Sequence, residues 1–191
     1  MSVIEQIDGW QHNYHIGCRL QFVNELQKAI NLVKIEKEVT LWTKNIVVVV
    51  DIDGTIAKVG DRLKYLQQEE KDWDAFYEHC NEDEPIKDMC RLVTDLYEMG
   101  NEIVFCTGRR ESVREKTKEW LFWNVIAPDD HNLLMRKDGD WRHDTEVKPE
   151  LLQKAGITPD KVYFILEDRD SMVAKWRELG YRCLQVADGK F

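Results

Sequence analysis

The sequence predicts an α/β fold, a three-layer sandwich around a mostly parallel sheet. Two patterns carry that reading. Short β-branched or apolar runs alternate with longer stretches of helical periodicity, which is the signature of βαβ units and hence of parallel strands. Three of the apolar runs also end in polar residues, as expected where strands deliver side chains to one sheet edge.

The elements come in this order. Residues 19–42 read as a helix, with Leu20, Val23, Leu26, Ile30, Val33 and Ile35 at roughly helical spacing. Residues 46–50 (Ile-Val-Val-Val-Val) form an apolar run of strand length that stops at Asp51-Ile52-Asp53-Gly54-Thr55. A charged insert occupies about 58–84, in which Trp73, Phe76 and Tyr77 suggest a short helix with an apolar face. Pro85 is expected to open a helix to about Met99, with Met89, Leu92, Val93 and Leu96 inward and Gly100 closing it. A strand over 102–106 leads to Thr107-Gly108-Arg109, then a helix over about 111–123. Residues 133–136 make a third strand, 146–155 a helix stopped by Gly156, and 162–166 a fourth strand ending in Glu167-Asp168. A helix over 171–179 ends at Gly180, and 182–186 supply the fifth strand. Trp120, Trp123 and Trp176 fall at core positions of their helices.

Composition sets outer bounds. The 191 residues suit one domain with a small appendage, here a helical extension over 1–45 and a main domain over 46–191. A net charge of −9 argues against broad, sequence-blind adhesion to nucleic acid or anionic membrane. Cys18, Cys80, Cys90, Cys106 and Cys183 are odd in number and widely spaced, the usage of reduced thiols in a cytoplasmic protein. No apolar run approaches membrane-spanning length, so no membrane partner is expected. His12 and His15 lie three apart, a spacing that suits a metal pair less often than solvated or core histidines.

The chemistry concentrates where strands end. Residues i and i+2 of a strand share a face, so Asp51 and Asp53 approach one point. Two anions held close need a cation or a shared proton. This suggests a nucleophilic carboxylate, a second one for acid–base work, and a magnesium ion between them. Asp-Ile-Asp-Gly alone also suits a strand cap and turn. The second strand adds Thr107 and Arg109, a hydroxyl and a permanent cation for phosphate oxygens; the fourth adds Glu167 and Asp168. Lys148 also reads as an ordinary solvated lysine, Arg142 and Asp144 as a loop ion pair, and Trp73, Phe76 and Tyr77 as packing.

DIDGTIA, Thr107 in CTGRR, Lys148 in EVKPE and Glu167-Asp168 in LEDRD together resemble the four motifs of the haloacid-dehalogenase (HAD) superfamily of phosphotransferases. Arg62, the stretch MRKDGDWRHDTEVKPELL and the ending EDRDSMVAKWRELGYRCLQVADGKF narrow the likeness. From Ile46 onward the chain is similar to the phosphatase domain of bacteriophage polynucleotide kinase–phosphatases. The resemblance implies Asp51 as nucleophile, Asp53 as acid and base, and Thr107 and Lys148 on phosphoryl oxygens. It implies magnesium on the Asp51 side chain, the Asp53 carbonyl and Asp168, with Arg62, Arg109 and Asp144 serving the substrate. The substrate would be a phosphorylated nucleotide or a polynucleotide 3′ end.

Two departures stand out. Glu167 replaces the first of two adjacent aspartates, and the insert is longer than in the phage domain. No G-x-x-x-x-G-K-[ST] stretch occurs, so no kinase function is expected. A 5′/3′ mononucleotidase or other small-molecule phosphatase is the alternative enzyme. A catalytically inactive binding module of the same fold is the alternative outside enzymes. The extension over 1–45 is a candidate dimer or partner contact.

Overall fold

The computed structural model describes residues 46–189, together with Gln27, Lys28, Ile30 and Asn31. Those four are helical, and Gln27 Nε2 donates to Asn31 Oδ1 at 3.1 Å. The rest of the helix expected over 19–42, and His12, His15 and Cys18, lie outside the described residues. The chain divides into two compact units, Met1–Lys44 and Asn45–Phe191. No helix among the described residues is long and apolar enough to cross a membrane.

The second unit is built on five parallel strands: β1 (Val47–Val50), β4 (Glu102–Arg110), β5 (Leu133–Arg136), β6 (Val162–Arg169) and β7 (Cys183–Gly189). Their order is β5-β4-β1-β6-β7. All four valines of β1 are buried, as a strand covered on both faces requires. Val48 and Val50 point to the face covered by α2 (Lys87–Glu98) and α3 (Arg114–Asn124), through Cys90, Val93, Trp120 and Leu121. Val47 and Val49 face α4 (Asp144–Lys154) and α5 (Asp170–Glu178), through Leu152, Met172, Val173 and Trp176. Helices on both faces of the sheet make the three layers.

From β1 the chain moves outward to β4 and β5, then returns to the other side of β1 for β6 and β7. The order therefore reverses beside β1. In an open parallel sheet that reversal opens a crevice at the carboxyl end of the strand, where Asp51 begins.

The insert hangs on a small antiparallel pair, β2 (Ala57–Lys58) with β3 (Glu84–Pro85). Between them stand a 3-10 turn at Asp61–Tyr65, α1 (Trp73–Glu78) and a second turn at Cys80–Glu82. Asp72 caps α1 by accepting from the Ala75 amide at 2.9 Å. Phe76 and Cys80 are buried, and Cys80 joins the core on the α2–α3 side.

Four local expectations are corrected. Pro85 sits in β3 rather than opening α2, because its ring suits an extended residue before the turn. In α2 Val93 is buried and Met89 and Leu96 pack against the core as expected, with Cys90 buried beside them, whereas Leu92 is 42% exposed. Trp123 is 75% exposed: it lies on the outward side of α3, whose buried positions are Thr117, Trp120 and Leu121, while Trp120 and Trp176 are core. Strands β4, β6 and β7 each run past the expected end, and β4 and β6 carry their polar residues within the ladder.

Candidate active site

Asp51 comes directly after β1, and its amide donates to the Leu166 carbonyl of β6 at 3.0 Å. This keeps the strand edge paired one residue beyond the valines and fixes the Asp51 side chain opposite Glu167 and Asp168. One oxygen from each of these three buried carboxylates lies within 4.8 Å of the others. Lys148, from α4 and also buried, donates to Asp51 Oδ1 at 2.7 Å and to Glu167 Oε2 at 2.9 Å. Thr55 Oγ1 donates to Asp168 Oδ1 at 3.3 Å. Gly54 turns the loop at φ +91°, and a Cβ there would sit 2.2 Å from Asp168 Oδ2. Glycine is thus required twice over, for the left-handed turn and for the close approach.

Burial pushes the Asp51 carboxyl well up, and Glu167 adds to the effect against the pull of Lys148. Burial also raises Asp168, with Asp51 reinforcing it. For Lys148 burial works against the charge, but Asp51 and Glu167 outweigh it and hold the ammonium well above the ordinary lysine value. With all groups ionised, the cluster carries three negative charges and one positive. A buried excess of two anions built from hard oxygen donors matches a divalent cation of the magnesium type.

A second cluster adjoins the first. Asp53 accepts from Arg62 Nη2 at 2.5 Å, and from Arg109 Nε at 3.0 Å and Nη2 at 2.6 Å. Asp83, from the end of the insert, closes the group: it accepts from Arg62 Nε at 2.8 Å, Arg62 Nη2 at 2.7 Å and Arg109 Nη2 at 3.0 Å. Both guanidinium groups are buried, and the Phe76 ring lies 4.2 Å from Arg62 Cζ. Burial raises Asp53, yet Arg109 and then Arg62 outweigh it and draw its carboxyl down to about 2. Lys148 adds a smaller pull on Asp53, which ties the two clusters together electrostatically. Arg62 Nη1 and Arg109 Nη1 are buried with no protein acceptor among the described residues. Buried donors without acceptors are rare, and an oxyanion beside them would satisfy both.

Thr107 is buried in β4, and its hydroxyl accepts from the Arg109 amide at 3.2 Å. Asp144, at the start of α4, accepts from Arg136 Nη2 and from Arg169 Nη1 at 2.9 Å. The loop pair expected between Arg142 and Asp144 is not what forms: Arg142 Nη2 instead donates to Asp140 Oδ2 at 2.6 Å and Glu150 Oε2 at 2.8 Å.

The geometry therefore gathers Asp51, Asp168 and Lys148 in one cluster and Asp53, Arg62 and Arg109 in the next, while Asp144 belongs to a third group with Arg136 and Arg169. Asp83 was not singled out by the sequence; it sits in the acidic run Glu82-Asp83-Glu84, which reads as a solvated turn. Arg136 ends β5, and its burial separates it from surface arginines. The bond from Glu167 to Lys148 had no local signal either.

A five-stranded parallel sheet with its order reversing beside a strand that ends in paired carboxylates, and with an insert directly after that strand, is the architecture of phosphatase domains of the HAD superfamily. The chain belongs to a particular family within it: the family model described as the polynucleotide kinase PNKP phosphatase domain matches residues 45–191. Solved structures agree. A chain of the Pnkp1/Rnl/Hen1 RNA repair complex is 28% identical with a TM-score of 0.66, over 78% of this chain and 44% of that one. A class C acid phosphatase from Bacillus anthracis shares the fold at 14% identity and a TM-score of 0.55, over 84% of this chain and 75% of that one. So does a haloacid dehalogenase-like hydrolase, SP0104 from Streptococcus pneumoniae, at 13% identity and a TM-score of 0.50, over 75% and 84%. The chain spans under half the length of the first of these.

Proposed function

We propose that this protein is a magnesium-dependent phosphomonoesterase that removes a terminal phosphate from polynucleotide 3′ ends or nucleotides through an aspartyl-phosphate, the work of residues 46–191 with the insert over 58–84 as a cap. The observation that carries the reading is the juxtaposition of two unlike clusters. Three buried carboxylates with one lysine stand beside two buried arginines whose Nη1 donors have no protein acceptor.

Asp51 attacks phosphorus: an Asp51 Oδ–P bond forms as the ester P–O bond breaks, and Asp53 gives its proton to the leaving oxygen. Water then attacks the same phosphorus and passes a proton to Asp53. The bond to Asp51 breaks, and inorganic phosphate leaves. The Nη1 atoms of Arg62 and Arg109 hold phosphoryl oxygens, with the Thr107 hydroxyl and the Lys148 ammonium. A phosphate drawing on both arginines weakens their hold on Asp53, which lets that carboxyl take up the proton it must donate. Magnesium would be held by the Asp51 side chain, the Asp53 carbonyl and Asp168, and supplies charge neutralisation between nucleophile and phosphate. Glu167 keeps Lys148 ionised and pointed at Asp51. Asp144 sets the strand ends through Arg136 and Arg169 rather than meeting the phosphate itself.

The polynucleotide end is supported by the family and by the RNA repair complex of the 28% identical relative. A mononucleotidase is the second reading, favoured by the net charge of −9, which suits a small substrate better than a long polyanion. The deciding experiment measures phosphate release from a 3′-phosphorylated oligonucleotide and from nucleoside monophosphates, with and without magnesium, using Asp51→Asn as control. Turnover that is magnesium-dependent, lost in Asp51→Asn and fastest on the oligonucleotide is expected. Unchanged release by Asp51→Asn overturns the mechanism, and a strong preference for mononucleotides overturns the end-processing substrate.

A further inference from the structure

Trp141 stands in the loop between β5 and α4, on the same sheet edge as the catalytic clusters, and is 68% exposed. Tryptophan is costly to leave in water, and this one is not loose. The buried Arg136 fastens the loop on both sides of it: Nη1 donates to the Asp140 carbonyl at 3.0 Å and to the Arg142 carbonyl at 2.8 Å. The same Arg136 donates through Nε to the Gly108 carbonyl at 3.1 Å, next to Arg109. Asp140 adds a turn by accepting from the Arg142 amide at 3.0 Å. The Trp141 backbone is thus held to the strand that carries Arg109.

One face of the indole is occupied. Arg110, the neighbour of Arg109, places its Cζ 4.2 Å from the Trp141 ring and 4.9 Å from the Tyr77 ring. Asp74 holds Arg110 from the insert at 2.5 Å, and Tyr77 donates to the Gly108 carbonyl at 3.3 Å. Rings and guanidinium therefore stack in the order Trp141, Arg110, Tyr77, linking the insert to the loop after β5. Beside the stack the loop residues Lys137, Asp138, Gly139, Asp140, Trp141 and Arg142 line an open cleft of about 520 Å³. A rigid aromatic plane, backed by a cation and open on its outer side near a phosphate-binding centre, is the surface that a flat π-system recognises.

We propose that the Trp141–Arg110 pair is a stacking platform for a nucleobase of the substrate, and that it sets the preference for nucleotide over simpler phosphate esters. This rests on the reading of the site as a nucleotide phosphatase. Arg110, packed on the inner face of the indole, keeps the ring from folding onto the protein, so the base meets a plane already in position. The platform is indifferent to base identity, because every base offers a π-face.

The test compares the wild-type protein with Trp141→Ala and Trp141→Phe on three substrates: a 3′-phosphorylated oligonucleotide, adenosine 3′-monophosphate and glycerol phosphate. In Trp141→Ala the ratio of kcat/KM for the oligonucleotide to that for glycerol phosphate falls on the order of 10-fold, mainly through KM, and Trp141→Phe keeps most of it. A matching fall with adenosine 3′-monophosphate assigns the platform to the terminal base; a fall confined to the oligonucleotide assigns it to the preceding one. A ratio unchanged in Trp141→Ala, or equal losses on all three substrates, overturns the proposal. If the wild-type protein turns over glycerol phosphate as readily as nucleotides, the nucleotide reading fails by itself. A separate readout then decides the platform: quenching of intrinsic fluorescence by the oligonucleotide in EDTA, where nothing turns over. Saturable quenching lost in Trp141→Phe upholds stacking, and equal quenching in both proteins refutes it.

Discussion

Replacing Lys148 by methionine keeps most of the side-chain volume and removes a single charge. In the native cluster its ammonium lies 2.7 Å from Asp51 and 2.9 Å from Glu167, with all three side chains at most 6% exposed. Without it three carboxylates face one another unopposed, Asp168 being the third. Breaking one partner out of a buried pair costs about 3–5 kcal/mol, a large share of the roughly 5–15 kcal/mol that holds a domain together. At about 2–4 °C per kcal/mol, the melting temperature in EDTA falls by about 10 °C. Magnesium reverses much of this, because a ligand at about 100 times its dissociation constant returns about 2.7 kcal/mol. The variant is therefore more dependent on magnesium for its fold than the wild-type protein. Hydrolysis falls all the same, by roughly 100-fold or more, since a phosphate-facing donor is gone. Urea titrations in EDTA and in magnesium, paired with phosphate release, measure both halves. A variant within 0.5 kcal/mol of wild type in EDTA, by the scale of an ordinary surface change of about ±0.5 kcal/mol, with activity intact, refutes the reasoning and returns Lys148 to a solvated lysine.

Gly54→Ala places a Cβ 2.2 Å from Asp168 Oδ2 at φ +91°, so it costs about 2 kcal/mol or more and weakens magnesium binding; urea midpoints and a calorimetric magnesium titration report the two effects. The thiols Cys80, Cys90, Cys106 and Cys183 are buried, and burial pushes Cys90 up to about 11 and Cys183 to about 12. Native protein at pH 8 is expected to resist thiol reagents at these four positions and to react fully once unfolded, as mass spectrometry after alkylation will show. The folded thiols hold their protons at a pH where unfolded ones have lost them. For Cys90 and Cys183 this contribution is intact below the ordinary thiol value, about 8.5, and is lost as pH rises from there toward about 11 and about 12, by at most about 1.4 kcal/mol per unit for each. A denaturation midpoint that stays flat over that range contradicts this.

The parts of the site that end strands were legible because local pattern and long-range geometry agree there. A run of valines buried on both faces can only be central, and the residues just past a central parallel strand reach the crevice. Asp51 and Glu167-Asp168 meet at that edge as their places after β1 and in β6 predict. Asp83 needed a partner 21 residues away in Arg62 and another 26 away in Arg109, and its neighbours Glu82 and Glu84 have the same composition without the same burial. Sequence spacing holds no trace of that difference. Leu92 and Trp123 fall beside the buried stripe rather than on it: Cys90 and Val93 face the sheet from α2, and Thr117, Trp120 and Leu121 are the buried positions of α3, and a run of neighbouring apolar residues does not say which of them turn inward. Trp141 and Arg136 were unreadable in the same way: one loop tryptophan and one strand-end arginine acquire meaning only when the loop is seen wrapped around the guanidinium.

The quartet of Asp53, Arg62, Asp83 and Arg109 has a mechanical corollary. Arg62 and Asp83 stand near the two ends of the insert, and Asp53 and Arg109 belong to the sheet edge beneath it. Swinging the insert aside would break the two links that cross between them, Arg62 to Asp53 and Arg109 to Asp83, and bring the remaining pairs, Arg62–Asp83 and Arg109–Asp53, into water. The insert is accordingly closer to a bolted collar than to a hinged door.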